Sequence, residues 1–134
     1  MTPASGRLGT IVHWLPALAW MGLIFVLSEQ SGLRVSDDAS VDEPLRVIAH
    51  LGTYAILAGL LLFALTSRMP PTAQAAVLAF GLAVLYGVTD EMHQAFVPDR
   101  TGQLSDVVTD AIGAAVGVTL AWWILRRSTP RQAD

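Results

Sequence analysis

Asp90-Glu91-Met92-His93-Gln94 sets two carboxylates, an imidazole and an amide within five consecutive residues. A carboxylate beside an imidazole can hold and pass a proton, and the same groups can ligate a divalent metal. On a helix Asp90, His93 and Gln94 share a face, while Glu91 is turned about 100° away. Acids at a helix C-terminus oppose the macrodipole, so the sequence accepts a local cost that argues for a use. The plainer alternative is a helix end solvated among headgroups. Two further sets follow the spacing of one helical turn: Arg46, His50 and Tyr54, and then Asp106 and Asp110.

Each of these has an ordinary explanation to weigh. A carboxylate at a helix N-terminus is favoured by the dipole, which accounts for Asp106, and Ser105 beside it is a capping candidate. Asp110 lies a turn deeper, where an unpaired carboxylate takes up a proton or seeks a cation. Arg46, Arg100, His50 and His93 are its candidate partners. His50 can serve as a packing hydrogen bond between helices, and Tyr54, four residues on, can donate to it or to a shared partner. The face of Asp106 and Asp110 continues through Gly113 and Gly117, a small-residue pattern that lets another helix come close.

The elements that position these groups follow from composition. Of the 134 residues, 53% are hydrophobic and 14% charged, against about 25% charged in a typical soluble domain. Apolar runs at about residues 11–27, 47–66, 73–95 and 106–125 predict an all-α bundle of four transmembrane helices forming one domain over residues 1–134. Ser28-Glu29-Gln30-Ser31 does not resemble a cleavage site, so the first run is read as a span. Residues 28–46 form the longest loop, with Pro44 leading into the second helix. Pro70-Pro71 makes a sharp connection before the third, and Pro98 with Gly102 a tight turn after it. Trp122, Trp123, Arg126 and Arg127 mark an interfacial end to the fourth.

Arg7, Arg68, Arg126, Arg127 and Arg131 fall on one side of this topology, and Arg34, Arg46 and Arg100 on the other with nine of the acids. By the positive-inside rule both termini are expected in the cytoplasm, and the acidic loops outside. Cysteine and lysine are absent, which excludes thiolate and Schiff-base chemistry. No serine occupies an obvious nucleophile setting, and neither a phosphate loop nor a basic stripe for nucleic acid is present.

Folded this way, the turn between the third and fourth helices gathers Glu91, His93, Arg100, Asp106 and Asp110 at one end of the bundle. Arg46 and His50 enter that end on the second helix. Three functions are compatible with such a site. Arg46 and Arg100 can grip the phosphate or carboxylate headgroup of an anionic lipid. Glu91 or His93 can act as an acid–base catalyst, with the aspartates orienting it. Or the cluster only pins helices together in a structural subunit. No cofactor is required by the first reading. A divalent metal is the alternative, although the spacing matches no specific ligand pattern.

Residues 86–102, Tyr-Gly-Val-Thr-Asp-Glu-Met-His-Gln-Ala-Phe-Val-Pro-Asp-Arg-Thr-Gly, followed by Asp106 and by Asp110-Ala-Ile-Gly, resemble the signature of the VanZ-like family of bacterial membrane proteins. Arg46, His50 and Tyr54 match an upstream element of the same family more weakly, and the resemblance spans roughly residues 11–125. Its motif falls on His50, Asp90, Glu91, Gln94, Arg100, Asp106 and Asp110, while His93 is added from helical geometry. Val47 and Thr53 stand where many relatives carry a lysine and an acid, and Asp99 where a small residue is common. The resemblance implies a bacterial cytoplasmic-membrane protein with an envelope role. The family's namesake is tied to susceptibility to the glycopeptide teicoplanin, so membrane lipid, a lipid-linked cell-wall precursor or a glycopeptide are the implied partners.

Overall fold

A computed structural model describes residues 4–30, 38–98 and 102–128. Among them lie four helices: α1 (Ala4–Ser28), α2 (Ala39–Leu65), α3 (Ala73–Gln94) and α4 (Leu104–Ser128). Each is long and apolar enough to cross a membrane. Their outward faces are studded with exposed Ile, Leu, Val and Phe, such as Ile11, Leu18, Val77, Leu85, Ile112 and Leu120. In water that surface would be an aggregation hazard, and in a bilayer it meets lipid tails. The chain is a multi-pass membrane protein built as an all-α bundle.

Three helices exceed the apolar runs that announce them. The largest difference is at α2, which begins at Ala39 and not near residue 47. Asp38 is the reason. Its side chain accepts from the Ser40 amide at 2.9 Å and from the Ser40 hydroxyl at 2.7 Å, capping the helix ahead of its apolar part. Those bonds hold the Asp38 carboxyl below its ordinary pKa, the hydroxyl contributing most. Pro44 consequently lies inside the helix rather than leading into it. The early turns of α2 are polar helix, not loop. At α3 the start is as expected, because the Thr72 hydroxyl accepts from the Ala75 amide after the Pro70-Pro71 break.

Packing centres on α2 and α4, which run parallel. Gly113 and Gly117 lie against the backbone of α2: a Cβ on either would collide with the carbonyl oxygen of Leu51 or of Ala55 respectively. One turn further, a Cβ on Gly59 would sit 3.7 Å from that of Ala121. Small residues on a shared stripe therefore bring the two backbones together, and dispersion contacts replace the hydrophobic effect that lipid does not provide. The register runs Leu51 to Gly113, Ala55 to Gly117 and Gly59 to Ala121. Tyr54, Leu57, Ala58, Leu61, Leu62, Ala114 and Val118 fill the core around this contact, with Ala75, Ala79 and Ala83 from α3.

The first helix is more loosely held. Only Ala17, Ile24 and Ser28 of its described side chains are buried, and two of the directed bonds that tie it on lie along its middle. The Trp20 indole donates to the Thr53 carbonyl at 3.0 Å, and the Tyr86 hydroxyl to the Met21 carbonyl at 2.7 Å. His13, near its N-terminal half, bonds its own helix at the Gly9 carbonyl and faces the Phe63 ring. At the far end of α4 the Trp122 indole donates to the Pro71 carbonyl at 2.8 Å. The Arg126 and Arg127 guanidinium groups lie over Trp122 and Trp123.

Candidate functional site

The parallel register of α2 and α4 continues from the glycine contact into the polar end and fixes which charges meet. Arg46 donates to Asp106 Oδ2 at 2.7 Å, and His50 bonds through Nδ1 to Asp110 Oδ1 at 2.8 Å. One helical turn separates the two pairs on each helix, so a single alignment satisfies both. The pairs differ in depth: the Arg46 side chain is 39% exposed, whereas Asp110 is 1% exposed and His50 19%. Of the four candidate partners for Asp110, His50 is the one in place. Asp106 has a use beyond the helix dipole, since it anchors Arg46. Ser105 lies within α4 and donates to Gln103 Oε1 at 3.3 Å, so it is not the cap expected of it.

The third helix carries its two acids to different places. Asp90 Oδ2 accepts from Ser28 at 2.8 Å and from Gln94 at 3.0 Å, closing a buried network between α1 and α3. Glu91, about 100° round the helix, turns toward α2 and α4, and its Oε2 accepts from the Gln103 amide at 3.0 Å. That bond fastens the start of α4 to the end of α3. His50, Glu91 and Asp110 each offer a ligand atom within 4.8 Å of the other two. Gly87 makes room for this cluster: a Cβ there would sit 3.2 Å from Tyr54 Cε1 and 3.3 Å from Asp110 Oδ2.

Three buried polar atoms have no hydrogen-bond partner among the described residues: the Tyr54 hydroxyl, Glu91 Oε1 and Asp110 Oδ2. Tyr54 therefore donates neither to His50 nor to a shared partner among the described residues, the two roles its one-turn spacing allows. Its ring is held 1% exposed against Gly87. An unsatisfied buried polar atom costs on the order of 1–3 kcal/mol, so three in one neighbourhood mark a place shaped for something other than packing.

His93 departs most from expectation. It bonds Glu29 through Nε2 and stacks on Phe25 with ring centroids 4.9 Å apart. Sharing a helical face with Asp90 did not bring it to the carboxylate cluster, because α1 lies on that side and takes the imidazole. Arg100 falls outside the described residues. Ser28 and Glu29, the residues that receive Asp90 and His93, stand in the sequence at the start of a polar loop. Their signal was a serine and an acid directly after an apolar run, at the depth where α3 turns polar.

Between α1, α2 and α3 opens a cleft of about 160 Å³. Ile24, Leu27 and Ala49 line it with apolar side chains, and Ser28, His50, Asp90 and Gln94 with polar ones, with Thr53 and Tyr54 beside them. Such a cavity suits an amphiphile whose head makes hydrogen bonds and whose tail lies along apolar side chains.

The family model described as VanZ/LLP1 matches residues 13–126. Comparison with curated proteins and with solved structures gives no match in either. The family match takes in α2 and α3 whole, most of α1 and α4, and every site residue named above, and the chain belongs to the VanZ/LLP1 family.

Proposed function

We propose that this protein binds the polar head of a membrane amphiphile, a lipid-linked glycan or an anionic lipid, in the cleft between α1, α2 and α3. The observation that carries the reading is the cleft itself, lined on one hand by Ile24, Leu27 and Ala49 and on the other by Ser28, His50, Asp90 and Gln94. The clamp expected of Arg46 is already engaged by Asp106. The polar lining meets the head with carboxylate, amide, hydroxyl and imidazole groups, and a sugar's hydroxyls match these better than a bare phosphate does. A lipid-linked glycan is therefore the favoured occupant.

Arginine placement orients the protein in the bacterial cytoplasmic membrane with both termini inside and the cleft near the outer surface. A precursor of the cell wall passes that surface. Binding it there gives a route to altered teicoplanin susceptibility, the property suggested by the family's namesake. The test is titration of the detergent-purified full chain with a polyprenyl-linked disaccharide and, separately, phosphatidylglycerol. Gln94→Ala is expected to weaken the glycan lipid at least tenfold. Equal binding by this variant and the parent would remove the cleft from consideration.

One observation favours a second reading, an enzyme acting on such a lipid by acid–base chemistry. The half-buried His50 paired with the buried Asp110 beside Glu91 is an imidazole oriented by a carboxylate, which is the arrangement of a general base and its orienting group. The proton-handling role then belongs to His50 and Glu91 rather than to His93. Incubation of the protein with the glycan lipid followed by mass spectrometry of the extract separates the two. Turnover lost in Glu91→Gln with binding retained identifies the enzyme.

A further inference from the structure

The cleft takes in Ser28, Asp90 and Gln94, but Glu91 and Asp110, which are grouped with His50, are not part of its lining. Glu91 and Asp110 are 6% and 1% exposed, and each retains an oxygen with no hydrogen bond among the described residues. Buried polar atoms in folded proteins are nearly always hydrogen-bonded, so two spare carboxylate oxygens side by side call for an explanation. His50 answers one oxygen of Asp110 and the Gln103 amide answers one of Glu91, so two buried acceptors remain beside a single imidazole.

We propose that His50, Glu91 and Asp110 bind one divalent first-row cation. Their ligand atoms lie within 4.8 Å of one another. Side-chain rotation closes that spread to the roughly 3–4 Å separations of a shell with bonds of about 2.0–2.2 Å. Two carboxylates balance the charge of a 2+ ion, and the mixed nitrogen and oxygen donors suit Mn²⁺, Fe²⁺ or Zn²⁺ rather than Ca²⁺. The ion would take the place of the His50–Asp110 hydrogen bond, with His50 Nδ1 and the Asp110 carboxylate that faces it at 2.8 Å both turning to the metal. Asp110 and the partnerless Glu91 Oε1 are then the acidic ligands, and the space left by Gly87 keeps a side chain from filling the position beside Asp110.

The ion would sit against the cleft at His50, the one residue common to both groupings. An anionic group arriving in the cleft would then meet a cation rather than a wall of acids. The inference goes beyond the amphiphile reading and is tested without any lipid, so one can fail while the other stands.

The experiment is titration of EDTA-dialysed full-length protein in detergent with Mn²⁺, free ion being counted by electron paramagnetic resonance, and with Zn²⁺, counted by elemental analysis. One ion per chain is expected. Glu91→Gln keeps an acceptor for the Gln103 amide and is expected to weaken binding at least tenfold, whereas Glu43→Gln, at an exposed acid, leaves it unchanged. Pulsed resonance of the Mn²⁺-loaded parent protein is expected to show one coupled imidazole nitrogen, a readout that does not depend on any variant folding. Absence of binding, binding insensitive to Glu91→Gln, or bound Mn²⁺ without a coupled nitrogen would each overturn the proposal.

Discussion

Replacing Gly117 by alanine tests whether the approach of α2 to α4 builds the site. The added methyl would meet the carbonyl oxygen, carbonyl carbon and Cα of Ala55, all backbone atoms that no rotamer change can move. The helices must part or shift. Overpacking costs typically about 1–3 kcal/mol, and the rigid obstacle puts this case at the upper end. Alanine recovers about 1 kcal/mol over glycine within a helix. The net loss is about 2 kcal/mol, roughly a thirty-fold change in the unfolding equilibrium. Gly81→Ala is the control, because nothing lies within 4 Å of a Cβ there and only the helix gain remains. Thermal unfolding of both variants in the same detergent is expected to separate them, Gly117→Ala melting below the parent and Gly81→Ala at or above it. Equal behaviour would refute the close packing of α2 on α4.

Further outcomes follow from the same geometry. His50→Ala leaves the Asp110 carboxylate buried without its hydrogen bond and is expected to destabilise the protein by about 3–5 kcal/mol, read from thermal unfolding. Adding Asp110→Ala to it should restore part of that loss. Ser28→Ala removes the hydroxyl that donates to Asp90 and should cost about 1–3 kcal/mol, weakening the attachment of α1 to α3. Its measure is faster proteolysis or amide exchange of α1 relative to the other helices. In this cysteine-free chain, Gly59→Cys with Ala121→Cys places two Cβ atoms 3.7 Å apart, within disulfide range. Mild oxidation should link them, whereas Gly81→Cys with Ala121→Cys should stay reduced.

The four spans were legible because lipid imposes a simple rule: about 20 apolar residues in a row mean a helix, whatever its neighbours. Where that rule fell silent, the bounds slipped. Residues 39–46 are helical through the Asp38 cap rather than through apolarity, and a polar helix turn looks like a loop to a hydropathy reading. The glycines of α4 announced close packing, and the one-turn spacings in α2 and α4 announced matching faces. The parallel register joining Arg46 to Asp106 and His50 to Asp110 needed the third dimension. Helical spacing also could not say which neighbour each face of α3 meets. It grouped His93 with the cluster, yet Phe25 and Glu29 of α1's end occupy that side. Ser28 was overlooked for the same reason, since a buried serine and a loop serine are identical in sequence.

That the imidazole of α2 and the deep carboxylate of α4 meet inside the bundle is the claim on which the site depends. Solid-state NMR on protein carrying ¹⁵N-histidine and ¹³C-carboxyl aspartate measures it directly. His50 Nδ1 lies 2.8 Å from an Asp110 carboxyl oxygen, which puts nitrogen and labelled carbon within about 4 Å. His93 pairs with a glutamate and His13 with a backbone carbonyl, so neither gains such a coupling. A single histidine–aspartate coupling that vanishes in Asp110→Asn is the expected result. No coupling at His50, or one that survives that substitution, would contradict the account.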